Sequence, residues 1–351
     1  MKKKSFALIM ALILMLALFL TACGTGADSG SPAPTGEPEG VASQPIPETE
    51  GESASQSNDD EGTADTEAGG AKKYAVFISQ NTNAFTMSVG ESAKSHGESL
   101  GHEVTLFDGK GDQNTQISQI ETCIAQGYDG LIVEPVSGDG AIPILTQAMN
   151  ENIPVVTIIQ ELNDQSIVNA FVGPDHYEAS VIEAEAALEA IGGKGKVCIL
   201  RGALGSSAEM LINNAFHDTL EKYADVEVIE EQSANWVIDE ALKITETWLQ
   251  KHSDIAAILG ESDQMSLGAM KACQDMGIDN IIIVGRDALP ETLEAIRDGG
   301  IYATVYQNGP QMGSMAIDTL DTILSGKTVE PVLATKNVLV TVDNIDTFEN
   351  E

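Results

Sequence analysis

A catalytic chain needs a nucleophile beside its base, two carboxyls at a workable separation, or a set of metal ligands, and this sequence offers none of these. It carries no GxSxG elbow, no phosphate-binding loop and no HExxH. Its 5 histidines are scattered singly, and its cysteines do not cluster with them at metal-ligand spacing. Gly202–Ser207 is a glycine-containing turn before a helix, where an anion could sit, but without the phosphate-binding lysine a plain strand-to-helix turn explains it better. No catalytic residue, metal or cofactor is expected. The chemistry on offer is recognition by hydrogen bonds and ring contact. Ser79–Asn83 is a polar turn after an apolar run, and Phe85 follows it. In a parallel α/β sheet ligands bind at the carboxyl ends of the strands, where Asn83 and Phe85 stand. Taken alone, Asn83 reads equally well as a helix N-cap and Phe85 as a helix staple.

The elements that would position such residues alternate along the chain. Strands are predicted at Tyr74–Ser79, Glu103–Asp108, Gly130–Glu134, Pro154–Ile159, Asn169–Gly173, Lys196–Gly202, Val226–Glu231, Ile255–Gly260, Ile281–Gly285, Tyr302–Gln307 and Asn337–Thr341. Most are separated by segments of helical spacing. In Trp236–Gln250, for example, Val237, Ala241, Ile244 and Trp248 recur every three or four residues, with Trp236 starting the helix and Trp248 in the core. Alternation of this kind predicts parallel sheets covered by helices on both faces. So many strands exceed one comfortable sheet, which predicts two lobes with a break near Val172–His176, where Gly173 and Pro174 interrupt the pattern.

With 351 residues, 42% of them hydrophobic, the chain can bury one large core or two smaller ones. Its formal net charge of -36, from 18 Lys+Arg against 54 Asp+Glu, repels phosphate backbones and argues against a nucleic-acid partner. Cys123, Cys198 and Cys273 lie on apolar faces and read as buried, unpaired thiols.

Cys23 has a different setting. Residues 1–22 carry three lysines, an apolar run from Phe6 to Leu20 and small residues before Cys23, the layout of a signal peptide. Leu20–Gly24 resembles a bacterial lipobox, which predicts lipidation of Cys23 and attachment to the outer face of the bacterial cell membrane without spanning it. Residues 23–71 then turn to Gly, Ser, Pro, Thr, Glu and Asp with almost no large apolar side chain, the composition of a disordered acidic tether.

Seven stretches match a known family in order and spacing: Ser79–Phe85, Glu134–Pro135, Asn152–Val156, Gly202–Ser207, Glu261–Ala269, Ile283–Asp287 and Ala303–Gln307. Across nearly all of residues 72–346 the chain resembles the type I periplasmic sugar-binding proteins, nearest to their ribose-binding branch. The resemblance implies an α/β fold of two Rossmann-like lobes joined by a three-strand hinge and closing on a ligand like a clamp. Carried over, one lobe spans 72–172 plus 308–335 and the other 173–307 plus 336–346, with crossings near Gly173, Gln307 and Thr335. It implies a monomer that takes a small sugar or polyol and delivers it to an ABC permease in the membrane, without enzymatic activity. A sensor that presents the ligand to a membrane receptor, or a receptor for an amino or deoxy solute, is the alternative.

The resemblance also assigns site residues. Asn83 matches a hydroxyl-binding asparagine, Phe85 and Trp236 match aromatics that sandwich a ring, Asp287 a carboxylate for ring hydroxyls, and Gln307 a hinge-side glutamine. Other positions depart from the pattern. Ile159-Gln160 replaces an Asp-Arg pair, Ile212 replaces an arginine, and Ser262 and Glu134 each replace an asparagine. The bidentate bonds of two arginines are thereby lost, which favours a ligand with an apolar edge, while Glu134 and Asp287 suit an amino group. Arg286, beside Asp287, is the candidate to supply an arginine from elsewhere.

Overall fold

The computed structural model describes residues 70–348. The signal peptide, Cys23 and the tether up to residue 69 lie outside the described residues. One six-stranded sheet contains β1 (Lys73–Ile78), β2 (Glu103–Asp108), β3 (Gly130–Val133), β4 (Val155–Ile158), β5 (Ala170–Pro174) and, from far along the chain, β11 (Val332–Thr335). The second contains β6 (Lys194–Arg201), β7 (Asp225–Ser233), β8 (Ile255–Gly260), β9 (Ile282–Arg286), β10 (Ala303–Tyr306) and β12 (Val338–Val340). Their orders, β11-β5-β4-β3-β1-β2 and β12-β10-β9-β8-β6-β7, are the same doubly wound arrangement used twice. Every pairing is parallel except that of β12 with β10.

Parallel strands buried on both faces read as continuous apolar runs, which is why β3 (GLIV) and β4 (VVTI) are fully buried. The helices covering the first sheet are α1 (Ala84–Ser99), α2 (Gln113–Ala125), α3 (Ile142–Asn150) and α9 (Gly309–Leu324); the second is covered by α4 (His176–Ala190), α5 (Ser207–Leu220), α6 (Ile238–Lys251), α7 (Asp263–Asp275) and α8 (Pro290–Arg297). Each sheet thus carries a hydrophobic cluster on either face. The α1–α9 contact is close because Gly313 lacks a side chain: a Cβ there would lie 2.4 Å from the Val89 carbonyl oxygen. Cys123, Cys198 and Cys273 are buried and free, and among the described residues no helix is long and apolar enough to cross a membrane.

The chain passes between the sheets three times, after Pro174, after Tyr306 and after Thr335. Two details differ from the sequence-based expectation. First, β11 is an additional strand. It has four residues on a sheet edge, with Val332 and Ala334 exposed and Thr335 buried, so its apolar run is too short to mark a strand and parallel pairing with β5 defines it. Second, Trp236 does not start α6. Asn235 and Trp236 are both left-handed, with φ of 52° and 64°, and the helix begins at Ile238 after Val237. The turn, not helical periodicity, aims the indole.

The two lobes touch away from these crossings. Gln264 of α7 accepts from the Ala84 amide at 3.0 Å and donates to the Thr82 carbonyl at 3.2 Å. Leu289, which precedes α8, packs into the cluster formed by Phe85, Val89 and Met312 of the first lobe. The lobes are therefore closed on each other.

Candidate ligand-binding site

Helix N-caps fix the geometry at the strand ends. Asn83, Asp175, Ser206 and Ser262 each sit in extended backbone and accept amide bonds from the first turn of the following helix. Asn83 Oδ1 accepts from the Phe85 and Thr86 amides at 2.9 and 3.2 Å. Capping occupies its oxygen and leaves the Nδ2 group as the donor that can serve a ligand.

Between the carboxyl ends of the two sheets lies a cavity lined from both lobes, the place where such folds take a small solute. Its lining includes all eight residues singled out above: Asn83, Phe85, Glu134 and Gln160 from the first lobe, and Trp236, Ser262, Asp287 and Gln307 from the second lobe and its crossing. Ile159 and Ile212 line it too, so the place of the expected aspartate and that of one of the two expected arginines present aliphatic surface. Arg286 also lines it, together with residues that sequence reasoning missed, among them the titratable His176 and Glu261. Glu261 stands at the end of β8 as Glu134 does at the end of β3, and that equivalence was the available signal. His176 follows the Pro174 break with no comparable sign.

Backbone strain gathers here. Ile159, Trp236, Asp287 and Ala288 have φ of 63°, 64°, 117° and 54°, values that cost non-glycine residues energy and cluster at functional sites. Ile159 is the centre of a three-residue turn closed by the Gln160 amide on the Ile158 carbonyl at 2.6 Å. The turn points the Ile159 carbonyl at His176, whose Nε2 donates to it at 2.6 Å. Burial pulls the His176 pKa down to about 4, so the ring is neutral, Nε2 holds the proton, and Nδ1 is a bare acceptor.

The polar groups are only partly paired. Glu134 Oε2 accepts from the Ser79 amide at 2.7 Å and Oε1 from Gln160 Nε2 at 3.2 Å. Glu261 Oε2 accepts from the Gly202 amide at 2.7 Å. Arg286 donates from Nε and Nη2 to Glu183 Oε2 at 3.0 and 2.6 Å, and from Nη2 to Ser180 Oγ at 2.8 Å. What remains without a protein partner is His176 Nδ1, Glu261 Oε1, Arg286 Nη1 and Gln307 Nε2, all buried on residues that line the cavity. An unmade buried bond costs about 1–3 kcal/mol, so these atoms favour an occupant that completes them.

Burial pushes the Glu134 pKa up to about 7 and holds the Glu261 and Asp287 carboxyls well above the ordinary range. A stability dependence follows. Between its ordinary 4.5 and about 7, folded Glu134 keeps a proton that the unfolded chain has released. Its contribution to stability therefore falls as pH rises through that window, by about 3 kcal/mol in total. His176 works oppositely: between 6.5 and about 4 the unfolded chain binds a proton that the folded protein refuses, so stability is lost as pH falls. Urea melts of the ligand-free protein at pH 5 and 7.5 should show Glu134→Gln gaining on wild type at the higher pH. A gap independent of pH would contradict the assignment.

Three comparisons place the chain. Residues 74–328 match the family described as periplasmic binding protein domain. The chain is 29% identical over 286 residues to the xylitol-binding protein of Mycolicibacterium smegmatis, covering 81% of this chain and 82% of that one. It is also 29% identical over 269 residues to the ribose import binding protein of Bacillus subtilis, covering 76% and 87%. Among solved structures, an ABC transporter solute binding protein from Bacillus halodurans with bound myo-inositol superposes with a TM-score of 0.76 at 26% identity, over 82% of this chain and 99% of that one.

Proposed function

The chain belongs to the periplasmic binding protein family, and on that premise we propose that it is the extracellular solute receptor of an ABC importer, closing its two lobes around a small polyhydroxylated ligand. The observation that carries this reading is the cavity between the strand ends. It draws its lining from both sheets and leaves four buried polar atoms unpaired. Trp236 and Phe85 supply ring surface, while Asn83, Asp287 and Gln307 supply donors and acceptors for hydroxyls. Delivery to a permease, a monomeric state and a lipid anchor on Cys23 complete the reading. The protein binds its solute and leaves it chemically unchanged. Loss of membrane attachment in Cys23→Ser would support the anchor, and unchanged fractionation would remove it.

The test is a thermal-shift and fluorescence screen of the full-length protein against pentoses, hexoses, alditols, inositols and their deoxy and amino derivatives. A ligand held only by the folded state adds about 4 kcal/mol at a thousandfold excess over its Kd. Emission should shift as well, because Trp236 lines the cavity while Trp248 is buried in the core. A panel without a single responder would overturn the proposal.

A further inference from the structure

The cavity is rich in carboxyls. Glu134, Glu261 and Asp287 all line it, and the cation among its lining residues, Arg286, already forms two hydrogen bonds to Glu183. Arg201, near Glu261, is committed to Glu209 and Glu231. Glu261 and Asp287 both feel the Arg286 charge, but no cation acts on Glu134, which is 1% exposed and held only by an amide and a glutamine. Independently, Glu261 Oε1 and His176 Nδ1 are buried acceptors without a donor. They are matched by Arg286 Nη1 and Gln307 Nε2, buried donors without an acceptor, so hydroxyls can satisfy all four, whereas Glu134, a buried carboxyl with no cation acting on it, suits an ammonium, which supplies three donors and a positive charge.

Resting on the reading of this cavity as a solute site, we propose that its ligand carries a protonated amine among its hydroxyls, with the ammonium held by Glu134. Hydroxyl protons then go to Glu261 Oε1 and His176 Nδ1, and hydroxyl oxygens accept from Arg286 Nη1 and Gln307 Nε2. Ile159 and Ile212 face the C–H edge. An ammonium beside Glu134 also favours its ionised form, so binding below the folded pKa expels the proton that burial keeps there.

Calorimetry on the full-length protein compares matched pairs: 1-amino-1-deoxy alditols with alditols, aminocyclitols with inositols, and 2-amino-2-deoxy hexoses with hexoses. At least one amine is expected to bind tenfold or more tightly than its parent, and Glu134→Gln to erase that preference. At pH 6.5, where alditol amines and aminocyclitols are already protonated, wild type should release protons on binding the amine, read as a dependence of the heat on buffer ionisation enthalpy. This second readout needs no variant. Parents that bind as tightly as every amine would overturn the amine inference and leave the solute receptor standing, whereas no binding by any member would overturn both.

Discussion

Arg286→Ala should lower the unfolding free energy by about 3–5 kcal/mol, among the largest losses available to a single substitution in this protein. The guanidinium is 2% exposed and its partner Glu183 is 1% exposed. Removing Arg286 deletes two bonds to Glu183 and one to Ser180, and leaves a buried carboxylate with no counter-charge. The loss should shrink at pH 5, because burial already raises the Glu183 pKa to about 7 and a protonated carboxyl no longer needs the cation. Replacing both partners, Arg286→Met with Glu183→Leu, should recover most of the stability, since apolar groups of similar volume leave nothing unpaired. Urea melts of the two variants decide the matter. A single variant within 1 kcal/mol of wild type, or a double variant as weak as the single, would mean that the ion pair is not what holds α4 to β9.

The second large effect concerns Trp236. Its indole lies against the bare backbone of Gly202, where an added Cβ would come within 1.9 Å of the ring. Gly202 also donates its amide to Glu261, so one glycine seats the aromatic wall and orients an acidic one. A central aromatic anchor contributes about 2–4 kcal/mol to binding, so Trp236→Ala should weaken the affinity for the responding solute roughly thirtyfold to a thousandfold. The fold should survive, because Trp236 is only partly buried and packs at the margin of the clusters. Gly202→Ala should cause a comparable loss while keeping the indole, by driving it off its seat. Affinity unchanged within threefold in both variants would mean that this ring does not close the site.

Much of the architecture was legible because buried parallel strands and capped helices announce themselves locally. Tyr74–Ile78 and Ile255–Gly260 are apolar runs that end in polar turns, and Asn83 and Ser262 are side chains that cap whatever helix follows. The edge strand β11 was not legible. It is only four residues long with two of them exposed, and the β5 backbone beside it makes it a strand. Trp236 misled for a related reason: it fits a helical spacing with the residues after it, yet its φ is set by the turn that lays it on Gly202.

Sequence alone determined that this chain alternates strand and helix, that it is acidic, and which polar side chains stand at strand ends, since each depends on residue type and near neighbours. Which of them share a cavity depended on two sheets meeting, and only the tertiary structure decided that. It gave Arg286 a partner 103 residues away, left Glu134 without a cation, and turned His176 into a neutral acceptor through a carbonyl 17 residues off. The charge state of a buried group is set by desolvation and by whatever stands within a few ångströms, and distance in space is what one-dimensional order does not record.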